Sequence, residues 1–348
     1  MMRKYLVALP MALLMVSGAW AQGLKEAYKD YFRMGVALSG RNMTPEQEDI
    51  ITREFNSVTC ENAMKPGSLQ PAEGRWNWRE ADRIANFCRE HGIKMRGHCL
   101  VWHNQFADWM FYDAQGKPVD KKLFYKRLKK HIRTVVKRYK DVVYCWDVVN
   151  EAIADGPGDT PFRKSKLYEL CADEFILKAF KFARQADPKA LLFYNDYNEV
   201  NPHKCERICQ MILDMKKRGA PIDGIGMQGH YNIHYPAMNE LSDAIEKYAR
   251  VVDHIQITEL DVRANMQHGG DLNVDKKGEA ITPEVKSKFE QQYVNLFRTL
   301  RQHSDKIEVV TFWNLTDRDS WLGADNYPLL FDKNRQPKEA YHKVLNLE

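Results

Sequence analysis

After position 21 the chain holds no stretch apolar enough to cross a bilayer, no Cys-x-x-Cys pair, no His-Glu-x-x-His, no glycine-rich phosphate turn behind an early strand, and no Pro/Ser-rich or low-complexity tract. Each absence removes a class: a multispan membrane protein, a zinc ribbon, a zinc protease, a nucleotide-binding doubly wound sheet, and a binding module on a linker. Charge of one sign is scarce too. The excess is only +5, far from the balance of a nucleic-acid binder. The one basic stretch, Lys121 to Lys140, carries Leu123, Leu128, Ile132 and Val136 on one side and reads as a solvated helix face. With 44% hydrophobic and 28% charged residues, the chain is neither disordered nor fibrous.

Cysteine is present in an odd number, seven, so at least one thiol stays unpaired within the chain. Cys60, Cys99 and Cys145 lie in apolar strand-like runs, and Cys205 and Cys209 sit at helical spacing. That pattern is not a disulfide framework, although it leaves open a single bridge.

The first 21 residues are a separate object. Arg3 and Lys4 precede an apolar run from Tyr5 to Val16, and Ala19-Trp20-Ala21 is a small-x-small cleavage signal. Together they predict a signal peptide over residues 1–21, cut after Ala21. The exported product would work in the periplasm, at the cell surface or in the medium. An uncleaved anchor helix would need about 20 apolar residues, and Pro10, Ser17 and Gly18 interrupt this run.

Residues 22–348 alternate between two kinds of segment. Strand-length apolar runs occur at Met34 to Leu38, Ser57 to Glu61, Lys94 to Val101, Val143 to Asn150, Leu191 to Asn195, Gly224 to Met227, His254 to Asp261 and Glu308 to Trp313. Helix-patterned stretches follow them near 45–55, 78–91, 122–139, 168–186, 202–218, 238–252, 283–304 and 338–347. Thr44-Pro45, Asn201-Pro202 and Thr282-Pro283 are helix starts, and Gly92 and Gly219 are stops. Eight β-then-α units predict an α/β fold: one (β/α)8 TIM barrel, a single catalytic domain over 22–348.

Polar and aromatic residues collect at the carboxyl ends of these runs, the rim where such barrels build their sites. Glu151 follows one buried run and Glu259 another, three βα units further on, so a closed barrel sets them across from one another. Two facing carboxyl groups are what glycoside cleavage needs: one protonates the departing oxygen while the other attacks or activates water. A single Glu at a strand end is more often an ion-pair partner, so the weight lies on the pair and its neighbours. Asn62, Lys65, Gln105, Asn150, Asn198 and Gln228 offer planar or charged hydrogen-bonding groups for sugar hydroxyls, and Trp102, Trp313 and Trp321 offer flat faces for pyranose C–H groups. Trp146, inside a run, reads as core. His98 with His103, or His230 with His234, could bind a metal, but neither pair has a carboxylate motif beside it. His230 is better placed to donate to Glu259 while Asp261 orients it. No metal and no cofactor is expected.

Seven segments, in order along nearly all of residues 22–348, resemble the glycoside hydrolase family 10 endo-1,4-β-xylanases. They are Cys60-Glu-Asn-Ala-Met-Lys65, Gly97-His-Cys-Leu-Val-Trp-His-Asn-Gln105, Trp146-Asp-Val-Val-Asn-Glu151, Tyr194-Asn-Asp-Tyr-Asn198, Asp223-Gly-Ile-Gly-Met-Gln-Gly-His230, Ile257-Thr-Glu-Leu-Asp261 and Phe312-Trp-Asn-Leu-Thr-Asp-Arg-Asp-Ser-Trp321. The resemblance implies a retaining double displacement with Glu151 as acid/base and Glu259 as nucleophile. It implies carboxyl groups about 5–5.5 Å apart and support of the nucleophile from His230, Asp261, Gln228 and Asn150. It assigns Glu61, Asn62, Lys65, His98, Trp102, Gln105, Trp313 and Trp321 to sugar binding on the non-reducing side, and Tyr197 and Asn198 to the leaving-group side. Two positions depart from the pattern: Asn314 stands where the family usually has Gly, and Pro66 where some members have Trp. The expected partner is xylan, arabinoxylan or xylo-oligosaccharide, met by a monomer without nucleic-acid contact or membrane span. A barrel β-glucanase shares the carboxylate logic, and a non-catalytic polysaccharide-binding protein would keep the aromatic cleft. Retention of both Glu151 and Glu259 speaks against the latter.

Overall fold

The computed structural model describes residues 22–40, 43–156, 158–264 and 280–348. The expected signal peptide and its cut after Ala21 lie outside the described residues.

All eight expected strands form, with ends shifted by a residue or two. They are β1 (Arg33–Leu38), β2 (Ser57–Cys60), β3 (Lys94–Trp102), β4 (Val143–Asn150), β5 (Leu191–Asp196), β6 (Gly224–Met227), β8 (His254–Arg263) and β9 (Ile307–Phe312). Neighbours pair in parallel around the ring; β6 joins β8 and β9 joins β1, which closes the barrel. A ninth strand, β7 (His230–Asn232), was not expected from the sequence, because three residues carry no periodicity. It extends β8 beyond the ring, setting His230 opposite Asp261.

The helices between strands follow from their caps and apolar faces. In the helix Pro45–Glu54 the Gln47 carboxamide accepts from the Thr44 N–H at 3.4 Å. Asn201 accepts from the N–H groups of His203 and Lys204 at the start of the helix Pro202–Lys217, and Thr282 accepts from Val285 before the helix Pro283–Gln302. These side chains satisfy first-turn donors that have no partner within the helix. Gly92 and Gly219 both take positive φ, as helix-ending residues do. The stretch expected as one helix over 168–186 is two, Lys166–Cys171 and Glu174–Ala186, broken where Ala172 turns to φ +51. Periodicity misses such a break because apolar spacing resumes almost in phase on the far side.

Space inside the barrel is set by glycines. A Cβ on Gly226 would fall 2.1 Å from Asn195 Oδ1 and 2.9 Å from an Arg96 nitrogen, and one on Gly97 would meet the Trp146 ring at 2.2 Å. Trp146 is fully buried, as core. Beneath the rim, Arg96 is also buried; it pairs with Asp147, donates to Gln256 Oε1 at 2.7 Å and lies 4.6 Å over the Phe193 ring. A buried guanidinium survives only with such partners. All seven cysteines are buried free thiols. Among the described residues no helix is long and apolar enough to cross a membrane.

Candidate active site

Glu61, Trp102, Asn150, Glu151, Gln228 and Trp313 emerge at the carboxyl ends of barrel strands and, with Glu259 from within β8, line one cleft of about 490 Å³. Asn62, Lys65, His98, Gln105, Tyr197, His230 and Trp321 complete the predicted set on its wall. Two predicted residues stand off it. Asp261 lies behind His230, its Oδ2 3.0 Å from Nδ1, and Asn198 donates from its amide to Asp155 at 3.3 Å.

The carboxylates are tied into one polar chain. Glu259 Oε1 accepts from Asn195 Nδ2 at 2.8 Å, the same nitrogen donates to Asn150 Oδ1 at 2.8 Å, and Asn150 Nδ2 reaches Glu151 Oε1 at 3.1 Å. Gln228 Nε2 donates to Glu151 Oε1 at 3.0 Å, and Trp102 Nε1 donates to Oε2 at 2.7 Å. Glu259 sits within β8, at an irregularity in pairing with β9 between Ile257 and Leu260, rather than past the strand's end. Its N–H is fixed by the Gln228 carbonyl at 2.7 Å. Such an irregularity turns a side chain toward a barrel mouth.

The surroundings hold Glu259 ionised. Burial pushes its carboxyl up, but the His230 hydrogen bond, attraction to His98 and His230, and the Asn195 amide outweigh it and keep the group below the usual carboxylate range. His230 lies between two carboxylates, with Nε2 3.1 Å from Glu259 and Nδ1 3.0 Å from Asp261. Both ring nitrogens must then donate, which only the imidazolium does. Burial disfavours that cation, yet Asp261 and Glu259 raise it to about 10. Asp261 Oδ2 also takes the Trp321 N–H at 2.8 Å, fixing the half-exposed indole over the cleft.

Replacing His230 by Ala removes a charge-assisted bond worth about 1.5–3 kcal/mol, so kcat/KM is expected to fall about 10- to 100-fold at the optimum. Glu259 ionisation then requires less acid conditions, so the acidic limb of kcat/KM moves to higher pH. A pH series on one soluble substrate checks both effects, and an unmoved limb would refute the role of His230.

On the other walls, Lys65 donates to Asn62 Oδ1 at 2.8 Å and lies 4.6 Å over the Trp102 ring. His98 Nδ1 is 2.9 Å from Asp147 Oδ2, and its ring meets Trp313 edge-on at 5.3 Å. His103 also lines the cleft; burial pulls it down to about 4, so it is neutral. Among the described residues, no cluster of three or more His, Cys, Asp or Glu could hold a metal.

Sequence reasoning missed Asn195, Asp147 and Arg163. Asn195 ends a strand-length run with nothing in the sequence to mark it further, although it is the amide between the carboxylates. Arg163 lines the cleft from a loop with no periodicity to mark it, and donates to the Glu151 carbonyl at 3.0 Å.

The sequence profile of glycosyl hydrolase family 10 matches residues 23–347. A Xylanibacter ruminicola protein described as an endo-1,4-beta-xylanase/feruloyl esterase is 53% identical over 100% of this chain, which spans only 51% of that protein. The endo-1,4-beta-xylanase B of Paenibacillus barcinonensis is 40% identical, covering 92% of this chain and 97% of its own. Among solved structures, a psychrophilic family 10 endo-beta-1,4-xylanase superposes with a TM-score of 0.89 at 54% identity, covering 94% of this chain and 100% of that one.

Proposed function

Since the chain belongs to glycosyl hydrolase family 10, we propose that it is an exported endo-1,4-β-xylanase that cuts internal β-1,4 bonds of xylan and arabinoxylan with retention of configuration. The observation that carries this reading is the unlike setting of two carboxylates in one cleft. Glu259 is ionised by an imidazolium and an amide, whereas the Glu151 oxygens accept, among the described residues, from the neutral donors Trp102, Gln228 and Asn150. The anion suits attack on the anomeric carbon, and the other carboxyl suits proton transfer.

In the first half-reaction a Glu259 oxygen bonds to the anomeric carbon as the glycosidic C–O bond breaks, and Glu151 gives its proton to the departing oxygen. The product is a glycosyl ester of Glu259, and esterification removes the negative charge facing Glu151. In the second, Glu151 takes a proton from water, the water oxygen bonds to the anomeric carbon, and Glu259 leaves as carboxylate. Trp102, Trp313 and Trp321 supply apolar faces, and Glu61, Asn62, Lys65 and Gln105 supply hydroxyl partners.

Reducing-end release on linear xylan and arabinoxylan is expected to exceed that on carboxymethylcellulose by about 100-fold, since each glucose unit adds a C5 hydroxymethyl group that must be fitted into a cleft shaped for xylose. NMR of early products should show the β-anomer first. Preference for cellulose would overturn the substrate, and initial α-anomer would overturn the retaining mechanism.

A further inference from the structure

Glu151 has φ +56, a left-handed backbone that a residue with a side chain keeps only when its surroundings hold it. The holding groups lie on every side of it. Its N–H donates to the Asn195 carbonyl at 2.9 Å and its carbonyl accepts from Arg163 Nε at 3.0 Å. The next two N–H groups, of Ala152 and Ile153, both donate to one atom, the Tyr194 hydroxyl oxygen, at 3.0 and 3.1 Å.

A phenol that accepts twice has spent both lone pairs, so its own proton must go elsewhere. Asp196 Oδ2 takes it at 2.5 Å. The other Asp196 oxygen accepts from the Tyr197 N–H at 2.9 Å and pairs with Lys204 Nζ at 2.9 Å. Tyr194, Asp196 and Lys204 are all buried. Burial pushes the Asp196 carboxyl up and Lys204 works against that. Lys204 also reaches Asp155 at 2.7 Å and lies 3.8 Å above the Tyr197 ring, which lines the cleft.

We propose that Tyr194, Asp196 and Lys204 are a positioning network for the acid/base, in which the Tyr194 hydroxyl fixes the peptides after Glu151 and Asp196 fixes the hydroxyl. The inference rests on Glu151 being the proton donor. None of the three lines the cleft; their effect runs through the backbone turn that aims Glu151. Without the hydroxyl, two buried N–H groups directly after Glu151 lose their acceptor, and the turn relaxes. Proton donation depends on placement to within an ångström, whereas Glu259 is held by His230 Nε2 and the Asn195 amide, neither of which bonds to the Tyr194 hydroxyl.

The test is the leaving-group series. Tyr194→Phe keeps the ring and deletes the oxygen. Its kcat/KM on xylohexaose and on aryl xylobiosides with weakly acidic leaving groups should fall about 10- to 100-fold, less than the about 10²- to 10⁴-fold that losing the general acid itself would cost. On 2,4-dinitrophenyl xylobioside, whose leaving group needs no proton, the loss should be several times smaller. Uniform loss across the series, or no loss, overturns the inference. Should Tyr194→Phe lack a cooperative melt, the pair Asp196→Asn and Asp196→Ala decides. Asn keeps an acceptor for the hydroxyl, so it should restore weak-leaving-group turnover relative to Ala; equal values overturn the network. Glu151→Ala separates the two levels: a flat series there overturns the acid assignment along with this inference, whereas a steep one beside a flat Tyr194→Phe series overturns the inference alone.

Discussion

Glu259→Gln is expected to lower turnover of every glycoside by about 10⁴-fold or more, the scale on which removing a covalent nucleophile acts. The substitution is close to isosteric, so the cleft keeps its shape, although the single amide oxygen can accept from Asn195 or from His230 and not from both. What disappears is the anion that attacks the anomeric carbon. The loss must therefore be insensitive to the leaving group, because even a very acidic phenol has no nucleophile to displace it. Kinetics on xylan and on 2,4-dinitrophenyl xylobioside, with an unchanged circular dichroism spectrum as control, measure this. Appreciable activity on either substrate would remove Glu259 from the nucleophile's role, whatever the position of His230.

That prediction was open to the sequence because the geometry behind it is topological. The strand runs that carry Asn150-Glu151 and Ile257-Thr-Glu259 fix two carboxylates on one rim as soon as the barrel closes, and closure follows from counting βα units. Cap residues fixed helix starts for the same reason: Thr282 and Asn201 act on N–H groups two or three positions away. Signals that are local in the chain, or that repeat around the barrel, survive reading without coordinates.

What stayed hidden depends on packing across the chain. Asn195 bridges the carboxylates only because Gly226 leaves room for it, a pairing between neighbouring strands that no spacing announces. Strand β7 exists because His230–Asn232 lies beside the overhang of β8, not because three residues favour a strand. Asn314, the departure from the family's glycine, is more instructive. It adopts φ +94, the conformation a glycine there would take freely, and its buried amide has no hydrogen-bond partner among the described residues. The backbone path beside Trp313 is thus kept by the fold at the cost of an unsatisfied side chain. Pro66, the second departure, is the first residue of the short helix Pro66–Leu69 and follows Lys65 directly, where its missing N–H costs nothing.

Glu151→Ala should separate the two half-reactions. With xylan as substrate the departing oxygen is a poor leaving group, and loss of its proton donor is expected to cost about 10²- to 10⁴-fold. With 2,4-dinitrophenyl xylobioside the phenolate leaves unaided, so Glu259 still forms its ester at close to the normal rate. The ester then accumulates, because no base remains to deprotonate water, and a burst of phenolate followed by a slow steady state is the expected trace. Azide needs no deprotonation. Added azide should speed the steady state and yield a β-xylobiosyl azide, the anomer that a second inversion at carbon 1 demands. The azide enters the space left by the side chain beside Trp102 and Gln228, both of which donate to Glu151 in the intact enzyme. Equal losses on both substrates, or rescue giving the α-azide, would place the proton donor elsewhere.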